Sequence, residues 1–419
     1  MTTGGNVCPL EGSKQNKRGG MIMESIKDKV AIIGMGCTKF GENWDMDSRD
    51  MVIEAAYEAF EDAGVDPADI QAAWMGTYVS GYTGSMIAEP LKLMYKPVTR
   101  VENMCATGSE ALRNACYAVA AGVYDVVLAI GFEKLKDNGY SGLPDSELAI
   151  EWVMGKPDTY RVPTFSTPAQ FALMANRYFA KYEIEPEEGR ELLAKIAVKN
   201  HHNGTLSPKA HFQREITIEQ ALKAPMVAYP LGLYDCCGVS DGASAAIVTR
   251  ADMAKTFRDD PIYIKSLQIC QGPREGALNS DWGYTNMEET YRASIAAYKE
   301  AGITNQRKEV SIAEVHDCFS ITEMTIYEDL QFSPRGKAKE DIEAGSFALD
   351  GELPINTDGG LKCFGHPLGA SGLRMMYEVY KQLQEKAGPR QVRNPSIGLS
   401  HNIGGIPGSG VCSLIIAGN

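Results

Sequence analysis

One phrase of this chain occurs twice with its small and apolar residues at matching positions. AAYEAFEDAGV at residues 55–65 aligns with ASIAAYKEAGI at 293–303, and the two Ala-Gly steps lie 238 residues apart. In both copies the apolar residues recur at helical spacing and the pattern stops at glycine, which predicts an amphipathic helix with a glycine cap. The repeat predicts a core built from two similar halves.

Strand candidates flank both copies of the repeated helix. Residues 30–34 and 262–269 precede it, and residues 72–77 and 312–315 follow it. This βαβ order is typical of layered α/β folds. The later strands are predicted at 125–131 and 245–249 in the first half, and at 396–399 and 411–417 in the second.

A long segment separates the last two strands of the first half, whereas the second half joins its last two strands directly. We interpret this segment as an inserted loop domain that covers one face of the core and forms a substrate lid. The predicted division is a flexible tail at 1–28, an N-terminal half at 29–134 and 235–252, the insertion at 135–234, and a C-terminal half at 253–419.

Composition excludes several classes of function. Acidic residues number 54 against 41 basic ones, so the formal charge of −13 disfavours nucleic acid as a partner. No apolar stretch is long enough to span a membrane and no signal-peptide pattern is present, so we expect a cytoplasmic protein. The ten cysteines lack paired CxxC spacing, which favours a reducing compartment over disulfides or a zinc site.

The first candidate for chemistry is Cys105, in the small-residue turn NMCATGS ahead of a predicted helix. A thiol at a helix N-terminus faces the positive end of the helix dipole, which favours the reactive thiolate. The alternative is a structural cysteine, because free cysteines are among the most buried residues.

Two histidines occupy the corresponding part of the second half. His316 follows a predicted strand in VHDCFS, where open α/β sheets place ligands, although a lone histidine there can also merely satisfy a backbone carbonyl. His366 lies in GGLKCFGHPLGASG, whose five glycines are expected to let the backbone approach a ligand closely.

A glycine turn follows His401 and Asn402 in SHNIGGIPG. Its main-chain N–H groups are candidates for an oxyanion hole, and the two side chains are candidate polar groups of the site. Elsewhere, DCCGVSDGA contains the two adjacent cysteines Cys236 and Cys237. Adjacent cysteines lack the spacing that binding one metal ion requires, so no metal site is predicted.

Together, NMCATGSEA, DCCGVSDGASA, HDCFSITE, GGLKCFGHPLGASG and HNIGGIPGSG resemble the motifs of the thiolase superfamily, in order, over residues 30–419. The resemblance implies a duplicated thiolase fold with an α-β-α-β-α core. It makes Cys105 the acylated nucleophile and His366 the base that activates it and binds the thioester oxygen. It places His316 in one oxyanion hole, and the N–H groups of Cys105 and Gly404 in the second.

One position departs from the usual pattern. Many thiolases carry a second catalytic cysteine where this chain has Asn402. The sequence is most similar to sterol-carrier-protein-type thiolases, in which the cysteine of HDCF takes over that role, which makes Cys318 the acid/base candidate. The implied reaction cleaves a 3-oxoacyl-CoA through an acyl-cysteine, with coenzyme A as substrate and no permanently bound cofactor.

The resemblance also implies partners. HDCFSITE with the HNxGG ending is similar to bacterial and archaeal thiolases that act beside a small OB-fold and zinc-ribbon subunit, and a homodimer or dimer of dimers is expected. The chain further resembles benzoylsuccinyl-CoA thiolases of anaerobic toluene degradation, whose products are benzoyl-CoA and succinyl-CoA. Candidate lining residues for such a substrate are Tyr160, Arg161, Phe165 and Phe171, and core or subunit contacts are the alternative for them.

Two other functions remain open from the sequence. The same fold can run a biosynthetic condensation such as acetoacetyl-CoA formation, since decarboxylating condensing enzymes dispense with the second cysteine. A catalytically silent scaffold subunit is the third hypothesis, and the intact set of Cys105, His316 and His366 disfavours it.

Overall fold

A computed structural model describes residues 25–138, 166–273, 283–408 and 410–419 of the chain. Its strands are β1 Val30–Cys37, β2 Ala72–Gly76, β3 Val98–Val101, β4 Val126–Glu133, β5 Met226–Ala228, β6 Leu231–Gly232, β7 Gly242–Arg250, β8 Ile262–Gln271, β9 Ile312–Val315, β10 Ile397–Gly404 and β11 Val411–Gly418. Its helices are α1 Ser48–Ala63, α2 Ser85–Ala88, α3 Thr107–Ala120, α4 Thr167–Lys181, α5 Pro186–Thr205, α6 Ile218–Lys223, α7 Ala254–Phe257, α8 Glu288–Ala301, α9 Gln306–Glu309, α10 Ser320–Asp329, α11 Ala338–Glu343, α12 Gly360–Cys363 and α13 Leu368–Leu383.

The duplication is visible in the strand pairing. Nine of the eleven described strands form one sheet in the order β3-β2-β4-β7-β1-β8-β11-β10-β9, and β5 and β6 pair separately. In the first half β1, β7 and β4 pair antiparallel and β4 then pairs parallel with β2. In the second half β8, β11, β10 and β9 repeat this scheme. Strands β1 and β8 join the halves through only two residue pairs.

Two helices lie between the halves. Helix α13 packs on α3 and on strands of both halves, namely β4, β7, β9 and β10, and all of its residues except Lys381 are buried. Helix α1 covers β1 and β7 on one outer side, and α8 covers β8 and β11 on the other. This helix-sheet-helix-sheet-helix arrangement confirms the predicted duplicated thiolase fold.

The repeated phrase forms α1 and α8, and both end as the sequence predicts. Gly64 follows α1 with φ 67° and Gly302 follows α8 with φ 79°, so both caps adopt the left-handed conformation. A glycine there avoids the clash that a Cβ makes with the following carbonyl. The cap is therefore a structural element that the duplication preserved.

The residues at the end of the predicted tail are packed, contrary to expectation. Ile26 is buried, its N–H donates to the Glu300 carboxylate at 3.2 Å, and Lys27 donates to the carbonyl of Ala301 at 2.6 Å. Burying one apolar side chain against the second half holds residues 25–28 on the core.

The described part of the insertion contributes α4, α5, α6 and a hairpin of β5 and β6, and α5 packs on α10 and α12 of the second half. In the part of the chain that the structure describes, no helix combines the length and apolar character needed to cross a membrane.

Candidate active site

Cys105 lies in a single 3-10 turn, Met104–Ala106, directly before α3. Met104 is held at φ 51°, a left-handed conformation that a non-glycine residue adopts only when its surroundings enforce it. The Thr107 hydroxyl enforces it here, since it donates to the Met104 carbonyl and accepts the N–H of Asn103 at 2.9 Å. The turn leaves the Cys105 side chain half-buried.

The resting thiol of Cys105 is protonated, contrary to the expected thiolate. Burial raises its pKa to about 12, and this effect exceeds the lowering by main-chain N–H groups of Gly405 and of Cys105 itself. The helix N-terminus was therefore not enough to ionise the thiol. Attack requires a base that removes the proton.

The end of β10 packs closely against the turn that holds Cys105. A Cβ on Gly404 would lie 2.0 Å from the carbonyl oxygen of Asn103, so only glycine allows this approach. The Gly405 N–H donates to the Cys105 sulfur. The role predicted for Gly404 concerns the thioester oxygen instead and stays a prediction.

His366 has the features of a base at rest. Burial, and then the positive charge of Arg374, lower the pKa of His366 to about 3, so its imidazole is neutral. Its Nδ1 lies 2.8 Å from the Ser371 hydroxyl, while its Nε2 is buried without a hydrogen-bond partner among the described residues. A buried, unpartnered ring nitrogen is expensive unless substrate or a reacting group uses it.

The sequence predicted that the glycines around His366 approach a ligand, and for two of them the structure shows a close approach to another protein segment. A Cβ on Gly369 would lie 2.5 Å from the Phe132 carbonyl oxygen, and one on Gly372 would lie 2.4 Å from the Ser109 main-chain nitrogen. They let the start of α13 touch β4 and α3, so the close approach is between protein segments. The glycine spacing predicted that this motif lies at the site. It did not predict that β4 and α3 would be the segments that the glycines approach.

His316 and Asn402 meet at the ends of parallel strands β9 and β10. The Asn402 amide nitrogen lies 3.1 Å from His316 Nδ1, and the Ile403 N–H donates to the same Nδ1 at 3.3 Å. Burial, then the nearby His366, lower the pKa of His316 well below its usual value. His401 points to the other face of β10, where it lies 3.1 Å from the Thr290 hydroxyl, so it is not a polar group of the site.

Cys318 is a neutral, buried thiol beside a second one. Its carbonyl accepts the Cys237 N–H at 2.9 Å, so the two cysteines face each other across a short antiparallel pair. Burial raises the pKa of Cys318 well above its usual value, and the neighbouring Cys237 and Cys105 raise it further. Its sulfur lies 3.8 Å from the Thr322 hydroxyl.

A chain of contacts links these groups. The Ser109 hydroxyl, one turn into α3, donates to Asn402 at 3.3 Å, and Asn402 contacts His316. The rings of His316 and His366 are perpendicular with centroids 5.2 Å apart. The structure therefore brings Asn402 and the predicted catalytic residues into one region, listed along the chain as Cys105, His316, Cys318 and His366.

Sequence reasoning missed the residues that hold this region together. Buried Asp317 accepts the N–H of Leu361 at 2.6 Å and the Asn200 amide at 2.9 Å, which ties the HDCF and glycine motifs to α5. Ser371 contacts His366 directly, whereas Ser109 reaches His316 only through Asn402. The only signal for Asp317 was its place inside the polar trio after β9.

Of the proposed lining residues, Phe171 is in the core, with its ring 4.5 Å from that of Phe319. Tyr160, Arg161 and Phe165 lie outside the described residues. Within the described ranges, no three His, Cys, Asp or Glu side chains gather in a way that could hold a metal ion.

Comparison with known proteins gives consistent results. The chain matches the family Thiolase, N-terminal domain, over residues 30–252 and the family Thiolase C-terminal domain-like over residues 276–417. It is 40% identical over 392 residues to an acetyl-CoA acetyltransferase of Methanothermobacter thermautotrophicus, which covers 91% of this chain and 97% of that protein. It is 31% identical over 385 residues to benzoylsuccinyl-CoA thiolase subunit BbsB of Thauera aromatica, covering 91% and 96%.

A solved structure named Ltp2-ChsH2(DUF35) aldolase shares the fold, with a TM-score of 0.81 at 24% identity over 94% of this chain and 99% of that chain. The two family matches cover most of the sequence, and the paired halves of the fold agree with them. The protein therefore belongs to the thiolase superfamily, and it is an acyltransferase.

Proposed function

We propose that the protein transfers an acetyl group between coenzyme A thioesters through a thioester on Cys105, and so makes or cleaves acetoacetyl-CoA. The observation that carries this proposal is the neutral Cys105 thiol, held by two main-chain donors, in one site with a neutral His366 whose Nε2 has no partner among the described residues. The similarity to an archaeal acetyl-CoA acetyltransferase over nearly the full length supports the acetyl group.

In the cleavage direction, His366 Nε2 takes the proton of Cys105 as the sulfur attacks the 3-oxo carbon. The N–H groups of Cys105 and Gly404 are assigned to the resulting oxyanion, as the motif resemblance implies. The bond between C2 and C3 then breaks, which leaves an acyl-cysteine and the enolate of acetyl-CoA.

The enolate needs a proton and a charge partner. Cys318 is a neutral thiol in the resting protein and is therefore ready to give that proton to C2. His316 and protonated His366 donate to the enolate oxygen. Free coenzyme A then attacks the acyl-cysteine, its proton passes to the Cys318 thiolate, and His366 returns its proton to Cys105, so every proton is accounted for. Condensation is the same sequence reversed.

A larger, aromatic acyl group is the second candidate, because a benzoylsuccinyl-CoA thiolase subunit is also a full-length relative. The burial of Phe171 against Phe319 removes one residue proposed to line an enlarged pocket, which favours the small acetyl group.

We also propose a homodimer. Strand β3 is the last strand of the sheet, with a partner on one side only, and Tyr82, Met94 and Tyr95 in the loops before it are exposed apolar side chains. An accessory subunit with an OB fold and zinc ribbon is proposed from the motif resemblance, and the names of two relatives, one a subunit and one containing DUF35, support it. The nine free cysteines of the described residues favour the cytoplasm.

The experiment is intact-mass spectrometry with peptide mapping after mixing the protein with acetyl-, benzoyl- or succinyl-CoA. An acetyl adduct on Cys105 that added coenzyme A discharges supports the proposal. A benzoyl adduct without an acetyl adduct replaces it with the aromatic thiolase. The acyl-cysteine mechanism is overturned if none of the three thioesters gives an adduct on Cys105, in the unsubstituted protein and in the Cys270→Ala control alike.

A further inference from the structure

We infer that Asn402 is a positioning residue: with the Ile403 N–H it fixes His316 as the tautomer protonated at Nε2, so that this ring donates a hydrogen bond where the His366 ring accepts one. The inference rests on the proposed function, in which His316 donates to the enolate oxygen. It gives a purpose to the residue that stands where many thiolases have a second catalytic cysteine.

The proton position on His316 follows from its neighbours. A main-chain N–H can only donate, so the contact of the Ile403 N–H at 3.3 Å makes Nδ1 an acceptor. The Ser109 hydroxyl donates to Asn402 Oδ1 at 3.3 Å, which turns the amide nitrogen of Asn402 toward the same Nδ1 at 3.1 Å. With two donors on Nδ1 and a neutral ring, the proton resides on Nε2.

The proton position on His366 is the opposite. The Ser371 hydroxyl donates its one proton to the Pro367 carbonyl at 2.9 Å. It therefore accepts from His366 Nδ1 at 2.8 Å, which leaves Nε2 with the lone pair. The two perpendicular rings thus present opposite polarities: one Nε2–H ready for an oxygen and one Nε2 ready for a thiol proton. Either ring in the wrong tautomer removes one of the two functions.

Among the described residues, three titratable groups lower the pKa of His316. They are His366 and Arg374 from α13 and its N-terminal loop, and His401 from β10, and all three disfavour an imidazolium. A carboxylate at 402 would place an anion in direct contact with this ring. It would raise the pKa of His316 and, in the neutral ring, draw the proton to Nδ1.

The test compares two variants of nearly equal volume, Asn402→Asp and Asn402→Leu, in the full-length protein. In Asn402→Asp, kcat for acetoacetyl-CoA cleavage should fall as pH rises through the raised pKa of His316, by about 100-fold at pH 8.5, because the Nε2–H donor is lost. Near pH 6 the imidazolium still donates and the loss should shrink to a few-fold. Asn402→Leu keeps the Ile403 donor, so it should lose less than about 10-fold with a pH profile parallel to the unsubstituted protein.

Equal losses and parallel pH profiles in both variants would mean that Asn402 only fills space, and would overturn the inference. A double-mutant cycle adds a second criterion. In the His316→Ala background, Asn402→Asp should have no further effect on kcat, since it acts through His316. A multiplicative loss there contradicts the inference.

A direct measurement does not depend on activity. With ¹⁵N-labelled histidine, the six imidazoles of the unsubstituted protein give resolvable nitrogen shifts, and a His316→Gln variant assigns one of them. His316 should show protonated Nε2 and unprotonated Nδ1. Protonated Nδ1 overturns the inference, even where a variant at 402 fails to fold. The expected tautomer in a protein that forms no acyl-cysteine would instead refute the proposed function alone.

Discussion

The two halves of this protein place equivalent positions at one site and use them differently. Cys105 precedes α3 by two residues, and His366 precedes α13, the equivalent helix, by the same distance. Each half also has a polar contact just after a parallel strand: after β2 Thr77 contacts the Glu133 carboxylate in the last residue of β4, and after β9 His316 contacts Asn402, two residues before β10 ends.

The two polar pairs differ in whether all of their hydrogen-bonding atoms have partners within the protein. Both oxygens of Glu133 accept hydrogen bonds from residues 77–80, including the Thr77 hydroxyl at 3.2 Å, the Val79 N–H at 3.3 Å and the Ser80 N–H at 3.0 Å. The pair in the first half is thus fully engaged within the protein. In the second half His316 contacts Asn402 and Ile403 through Nδ1, and the proposed function assigns its Nε2 to the substrate. Both halves thus have a polar pair in this region, and in the proposed function only the pair of the second half contacts the substrate.

The nucleophile should give the largest effect. Cys105→Ser should reduce kcat about 10,000-fold or more, because the hydroxyl is far less acidic than the thiol and His366 cannot ionise it. Steady-state cleavage of acetoacetyl-CoA measures this. Cys270→Ala, at a half-buried thiol on β8, is the control and should retain activity. Residual activity within 100-fold in Cys105→Ser would place the nucleophile elsewhere.

The equivalent position in the second half should come next. His366→Ala should lower kcat by about 100- to 10,000-fold at pH 7, since no base then removes the thiol proton. The rate should recover as pH rises toward the Cys105 pKa of about 12, because hydroxide then generates the thiolate. His202→Ala, at an exposed histidine paired with Glu215, is the matched control. A flat pH profile for His366→Ala argues against the base role.

Replacing the carboxylate of the first half should affect stability more than rate. Glu133→Gln sets an NH₂ group against main-chain N–H donors, which should lower the free energy of unfolding by about 1–3 kcal/mol. Thermal unfolding detects this, and kcat should stay within about 10-fold of the unsubstituted value. Glu89→Gln, in an exposed ion pair with Arg49, should change stability by less than about 0.5 kcal/mol. A loss of rate without a loss of stability would show that the halves share the chemistry.

The repeated caps should give the smallest and most symmetric effects. Gly64→Ala and Gly302→Ala each force alanine into a left-handed conformation, at about 1–2 kcal/mol. A Cβ meets nothing within 4 Å at Gly64, and at Gly302 it meets only the flexible end of Lys27 at 3.1 Å. Thermal unfolding should therefore show nearly equal losses. A much larger loss at Gly302 would mean that the cap also holds the packed residues 25–28.

The repeat predicted much of the fold because a helix cap and a buried strand are local features. Gly64 and Gly302, and the strands around their helices, lie where the pattern placed them. Other outcomes depended on distant neighbours. A glycine in a sequence indicates a close approach but does not identify the group that approaches. The motif of Gly369 was therefore predicted to approach a ligand, whereas the structure places Gly369 against β4.

The sequence predicted which residues form the candidate site but not their protonation states. The motifs brought together Cys105, His316, Cys318 and His366, yet the helix N-terminus suggested a thiolate where burial keeps a thiol. His401 and Asn402 are adjacent, and only the pairing of β10 with its neighbours decides which one faces the site. Burial and strand facing are properties of the assembled protein, so composition and spacing do not contain them.

The central position of α13 also bears on how the chain is made. This helix completes the packing of β4 and β7 in the first half, yet it leaves the ribosome about 250 residues after β4 ends. At typical synthesis rates the first half therefore waits on the order of tens of seconds with α3 in place but with the apolar face that α13 covers still open. A nascent chain stalled before residue 368 should expose that apolar face, bind chaperones and resist folding, so the catalytic turn at Cys105 matures only when synthesis is nearly finished.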